Sequence, residues 1–219
     1  MLPHDYENLY RFQDEALDIL KPLEIGFYLT GGTAASRGYL HHRFSEDLDL
    51  FVNDDQRFGL WADQVVAALT AHKEWVTRIV LKDPRFVRIL LERPALTLKI
   101  ELVNDVPAHV GLITKHLALG RLDSAENILA NKLSALLDRE ESKDLADVWG
   151  FCCLLGLSVT DALEGAQGKA AGLYAADVAR ALLSAKETDW ELVPWLEEPP
   201  LSDFLSGLQR VGEQLLLIA

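Results

Sequence analysis

The sequence predicts an α+β fold: a mixed or antiparallel sheet with flanking helices, followed by a C-terminal helical bundle. Three observations carry this. Strand-like patterns crowd residues 26–103, helical periodicity takes over from Ser124, and 49% of the 219 residues are apolar, enough for one good core or two small ones.

Asp5 to Leu20 reads as an amphipathic helix with Pro22 after its end. "GFYLT" is a strand running into Gly31-Gly32, Thr33 to Leu40 a helix starting at that turn, and "DLDLFV" the next strand. Asp54 or Asp55 caps a helix through Thr70, with Leu60, Trp61, Val65 and Leu69 spaced for one face. "WVTRIVLK", "RFVRILLE" and "LTLKIELV" read as three strands, with Asp83-Pro84 and Pro94 in the turns between them. Beyond a changeover near residues 106–122, Asp123 or Ser124 caps a helix through Arg139, and Ser142 caps a second through about Leu155. Further helices are expected near Tyr174–Leu183 and Leu201–Leu217, joined by the connector "DWELVPWLEEPP". The expected domains are residues 1–110 and 111–219.

A net charge of -13 argues against sequence-blind capture of nucleic acid by the whole surface. The charge is uneven. Lys73 to Lys99 holds seven bases against three acids, whereas Asp161 to the end holds ten acids against four bases. A polyanion would therefore approach one face only. Cys152 and Cys153, adjacent in an apolar run, read as a reduced, buried pair and not as a metal site. The first twenty residues are too polar for a signal peptide, and "WGFCCLLGLSV" is too short to span a bilayer. The expectation is a soluble, cytoplasmic protein without a membrane partner.

Residues two apart on a strand face one side, so Asp47 and Asp49 point together while Leu48 and Leu50 enter the core. Their carboxylates, about 6–7 Å apart at the backbone, are close enough to share two Mg²⁺ ions about 3.5–4 Å apart. Glu101 stands on the polar side of "LTLKIELV", a strand able to lie beside the Asp47–Asp49 strand. It is a third ligand, a base for an attacking hydroxyl, or simply a cross-strand partner for an arginine.

Gly31 and Gly32 let backbone approach a ligand closely, and the helix that begins there presents free N–H groups to a phosphate, helped by the hydroxyls of Thr33 and Ser36. Arg43 and Ser45 share the side-chain parity of Asp47 if the strand starts early, which makes them candidate phosphate contacts. His42 is a weaker candidate as a neighbour of a phosphate-bearing ligand such as a nucleotide. The five tryptophans read as core or interface anchors.

This strand–GG–helix–strand–DxD order resembles the nucleotidyltransferase superfamily that includes DNA polymerase beta. "GGTA…HHRFSEDLDLF" resembles more narrowly the AbiEii/AbiGii-type toxin nucleotidyltransferases of bacteria, and "ENILANKLSALLDREESKDLADVW" is similar to their downstream block. The resemblance covers about residues 25–155. It implies a catalytic domain over residues 1–110, an NTP substrate with two Mg²⁺ ions, and Lys132 meeting the triphosphate. Asp144 is then placed to orient Lys132 or the base, with Asp147 on the same helix face; both acids are alternatively structural partners of Arg139. The resemblance further implies a toxin with a cognate antitoxin, moving NMP to an acceptor hydroxyl such as the 3′ end of tRNA. Two other readings stand beside it: an antibiotic-type, small-molecule nucleotidyltransferase, favoured by the acidic charge, and a nucleotide-binding module without catalysis.

Overall fold

The computed structural model describes residues 5–139 and 141–217, and the chain divides into two compact units. The first comprises the described chain up to Ala34, Ser45–Pro107 and Ile113–Asp123. It opens with α1 (Tyr6–Leu20), where the Asp5 carboxylate accepts the Asn8 N–H and caps the helix. Seven strands follow: β1 (Tyr28–Thr30), β2 (Leu48–Asn53), β3 (Val76–Asp83), β4 (Phe86–Arg93), β5 (Leu96–Asp105), β6 (Thr114–His116) and β7 (Gly120–Leu122). They form one mixed sheet in the order β3-β4-β5-β2-β1-β7-β6. The β2–β5 and β1–β7 pairs are parallel and the remaining pairs antiparallel.

Alternation decides which face is dry. Leu48, Leu50 and Val52 of β2, Leu98, Ile100 and Leu102 of β5, and Val87, Ile89 and Leu91 of β4 are buried. The intervening residues of β2 and β5 are only partly covered. α1 packs on β5 and on α3 (Phe58–Ala71), which in turn packs on β3. α3 starts later than the sequence predicts. Asp55 spends its carboxylate on the N–H and guanidinium of Arg57, so the helix begins at Phe58 with no side-chain cap. Leu60, expected on the apolar face, is 61% exposed, and Phe58 and Ala62 take the buried positions.

The second unit comprises Ala35–Phe44, Ala108–Leu112 and the described residues from Ser124 onward. Its helices are α4 (Ala125–Asp138), α5 (Ser142–Trp149), α6 (Val159–Gln167), α7 (Ala175–Leu183), α8 (Glu187–Leu192) and α9 (Leu201–Leu216). The Ser124 hydroxyl accepts the Asn127 N–H and caps α4, and Ser158 caps α6 in the same way through Asp161. α5 has Glu141, not Ser142, at its cap position, and it continues as a π-helix over Gly150–Leu154. Trp149, Trp195 and Phe204 pack edge to face at 5.6–6.1 Å, the anchoring role expected of the tryptophans. Cys152 and Cys153 are half-buried, more open than predicted, and burial pushes the Cys152 thiol up to about 12. Among the described residues no helix is long and apolar enough to cross a membrane.

The strands β6 and β7 and the helices α6 and α8 were not visible in the sequence. The two strands are three residues long, too short for a period to register, and β7 owes its place to β1 beside it.

Candidate active site

One transverse row of polar residues crosses the sheet. Thr30 of β1 lies opposite Asp49 of β2, Asp49 opposite Glu101 of β5, and Glu101 opposite Arg88 of β4. Directly paired residues project to the same face, so these side chains stand side by side. At the other end Asp123 follows β7, donating its backbone N–H to the Leu29 carbonyl and accepting the Thr30 hydroxyl at 2.5 Å. The sheet thus gathers Asp49 and Glu101 from strands far apart in sequence. Asp47 lies just ahead of β2, two residues from Asp49.

The glycine turn is fitted to these acids. Gly31 has φ +67°, in the left-handed region, and a Cβ built there would lie 2.1 Å from Asp49 Oδ2. Only glycine allows both the turn and this approach. A single α-helical turn, α2 (Gly31–Thr33), then passes into a π-helix over Ala34–Leu40, which replaces the regular helix expected from Thr33. The hydroxyls assigned to phosphate are occupied elsewhere. Thr33 Oγ1 donates to the Asp47 carbonyl and lies 3.0 Å from Ser45 Oγ, while Ser36 Oγ donates to the Arg43 carbonyl. Both side chains pin the segment leading into β2, and Ser45 itself is buried.

That segment is not strand. β2 begins at Leu48, so Arg43 does not share the parity of Asp47. Sequence reasoning also missed what holds it: Gln13 Nε2 donates to the carbonyls of Ser45 and Glu46 at 3.0 Å each, and the Ser45 N–H donates to the Tyr10 hydroxyl. The available signal was Gln13 itself, a polar residue four positions after Leu9 within the buried stripe of α1.

Lys99 is a second omission. Its ammonium lies 2.8 Å from Asp47 and 3.5 Å from Glu101, and Arg88 contacts Glu101 at 2.7 Å. Burial works against the charge on Lys99, but the hydrogen bond to Asp47 and the fields of Asp47, Glu101 and Asp49 outweigh it and raise its pKa. Glu101 therefore has the arginine partner considered among its readings. Among the described residues no three His, Cys, Asp or Glu side chains converge as a ready metal cage. The donor set nevertheless fits Mg²⁺ chemically: Asp47 and Asp49 offer hard carboxylate oxygens, and one cation, the Lys99 ammonium, already sits 2.8 Å from Asp47.

The helical unit carries its own charged cluster. Lys132 on α4 is buried, with its ammonium 2.6 Å from Asp144 and 2.7 Å from Asp147. Asp147 also takes a two-pronged contact from Arg43, Nε to Oδ1 and Nη2 to Oδ2 at 2.7 Å each, and meets His42 Nε2 at 3.0 Å. Arg139 Nε donates to Asp144 at 2.8 Å. Arg43, a candidate phosphate contact in the sequence, is closed on a buried aspartate and 2% exposed. Burial opposes ionisation of both acids. It is overcome chiefly by Lys132 at Asp144, whose pKa is lowered, and by Arg43 and Lys132 at Asp147, which is held well below the usual carboxylate range. His42 is buried as well, and burial lowers its pKa.

A mixed sheet that sets a glycine turn against paired aspartates is the arrangement that the resemblance to nucleotidyltransferases implies. The sequence matches the family model described as "Nucleotidyl transferase AbiEii toxin, Type IV TA system" over residues 16–191, and the chain belongs to that enzyme family. No curated protein matches the chain. Solved structures share its fold. The JHP933 protein of Helicobacter pylori is 19% identical with a TM-score of 0.68, the match covering 98% of this chain and 93% of that one. A putative nucleotidyltransferase of H. pylori is 18% identical at 0.65, covering 100% and 99%. MenT4, a nucleotidyltransferase toxin of Mycobacterium tuberculosis, is 16% identical at 0.68, covering 97% and 84%.

Two outcomes follow from this geometry. Gly31→Ala forces a Cβ onto the Asp49 carboxylate in a strained backbone, and it should abolish nucleotide transfer while leaving the far-ultraviolet circular dichroism unchanged. Lys132→Met leaves two buried carboxylates short of a cation and should cost about 3–5 kcal/mol in urea unfolding. Because both aspartates titrate lower in the fold than the unfolded value near 4, the network's stabilisation is present above about pH 4 and lost as pH falls through their depressed values. That acid limb should be shallower in Lys132→Met, and a cost below about 1 kcal/mol would show the network to be idle.

Proposed function

We propose that this chain is a cytoplasmic, Mg²⁺-dependent toxin enzyme that moves NMP from an NTP to an acceptor hydroxyl on RNA, such as the 3′ end of tRNA, under the control of a cognate antitoxin. The observation that carries the reading is the seating of the Asp49 carboxylate against Gly31 in the row that continues to Glu101. It supports one location for nucleotide phosphates and for the groups that act on them.

In this reading Asp47 and Asp49 hold the metal, with Glu101 completing the donor set or accepting the proton of the attacking hydroxyl. Bound Mg²⁺ neutralises phosphate charge as pyrophosphate leaves. Backbone N–H groups at Gly31 and Gly32 meet the triphosphate, since the Thr33 and Ser36 hydroxyls are engaged within the protein. Family resemblance assigns Lys132 to the triphosphate and Asp144 to its orientation. The Lys132–Asp144 contact supports the orienting part, while the burial of Lys132 gives it at least a structural duty.

The basic stretch from Lys73 to Lys99 is the proposed RNA surface. Six of its seven bases are ion-paired: Arg78 with Glu92, Lys82 with Asp63, Arg85 with Asp54, Arg88 with Glu101, Arg93 with Glu15 and Glu74, and Lys99 with Asp47. The pairs of Arg78, Lys82 and Arg85 are the exposed ones, and such pairs are weak and can exchange for phosphate. The net charge of -13 favours a second reading, a small cationic acceptor of the antibiotic kind. Growth inhibition on expression supports the toxin, and drug resistance without toxicity supports the alternative.

Incubation with each α-labelled NTP, Mg²⁺ and total RNA should place label on RNA, and Asp49→Asn should lower that transfer on the order of 10²–10³-fold. Binding of NTP without transfer to RNA, protein or drug would leave only a binding module. Charge reversal of Arg85 and Arg88 together should weaken RNA affinity and reduce the salt slope by about 2, measured without nucleotide. Unchanged affinity and slope would remove the RNA face.

A further inference from the structure

Asp123 has no part in the reading above, yet it is wholly buried at the end of the polar row. Its carboxylate accepts the Thr30 hydroxyl at 2.5 Å. Thr30 is the residue before Gly31 and the direct cross-strand neighbour of Asp49. In an antiparallel pair such neighbours have Cβ atoms about 4.5–5.5 Å apart on one face, so a threonine hydroxyl is well placed to donate to a carboxylate opposite it. Here the hydroxyl turns the other way. It does not cap the helical turn at Gly31 either, where no side-chain cap bond is formed.

We infer that Asp123 is a positioning residue, which takes the Thr30 hydroxyl and thereby keeps that donor off the Asp49 carboxylate, whose oxygens are required for a divalent cation. The inference rests on the metal role proposed for Asp49. A hydroxyl released from Asp123 turns to the next carboxylate in the row. A cation at Asp49 must then displace a charge-assisted hydrogen bond, which lowers its affinity. Asp123 thus acts through Thr30, one strand removed from the acid it serves.

The test is Mn²⁺ binding to the nucleotide-free full chain, followed by electron paramagnetic resonance. Asp123→Ala should weaken Mn²⁺ binding about tenfold, and Asp123→Asn, which keeps an acceptor oxygen, should stay within about twofold of the starting protein. Asp123→Ala made together with Thr30→Val should restore Mn²⁺ affinity to within about twofold of the starting protein, because no hydroxyl remains to compete. Equal weakening with and without the Thr30 hydroxyl overturns the inference, as does unchanged affinity in a folded Asp123→Ala protein. Should Asp123→Ala fail to fold, Asp123→Leu, which also removes the acceptor but fills its space, is read by the same criteria with and without the Thr30 hydroxyl. If Asp49→Ala leaves Mn²⁺ binding intact, the metal role of Asp49 falls and the inference with it. Metal binding that passes these tests in a protein that transfers no label separates the two claims.

Discussion

Carboxylates set side by side on neighbouring strands repel one another, and the polar face of the sheet depends on how that repulsion is met. The answer is Lys99, two residues before Glu101 on β5, whose ammonium reaches both Asp47 and Glu101, with Arg88 closing the row from β4. Like charges crowded in partial shelter favour a cation beside them, and the carboxylates of Asp47, Glu101 and Asp49 raise the pKa of Lys99 against the effect of its burial.

The helical unit solves a harder version of the problem. Asp144 and Asp147 lie three residues apart on one face of α5 and are both wholly buried. Arg43, Lys132 and Arg139 surround them. A buried ion pair is an uncertain source of net stability, but breaking one is costly because the abandoned charge keeps its desolvation penalty. The segment 42–43 and helices α4 and α5 are locked together in consequence, through the contacts of His42 and Arg43 with Asp147 and of Lys132 with Asp144 and Asp147.

Much of this was legible. The D-x-D alternation, the Glu101 parity, the Ser124 cap and the helical second half all follow from periods and capping rules that act over a few residues. The internal partners of Thr33, Ser36 and Arg43 were not legible, for a common reason. Each was judged by what its side chain is able to bind, without knowing that a carbonyl or a buried aspartate lay within reach. Gln13, Lys99 and Asp123 were passed over because their partners are 32, 52 and 93 residues away, at Ser45, Asp47 and Thr30.

The amino-acid sequence by itself determined the class of fold, the acids that share a face and the turn that only glycine can make, because those follow from backbone stereochemistry and local periodicity. Tertiary structure alone decided which groups those side chains meet. The parallel register that sets Asp49 against Glu101, the insertion of β7 beside β1 and the burial of Lys132 arise from long-range packing, and no local pattern encodes the neighbour that a folded chain brings near.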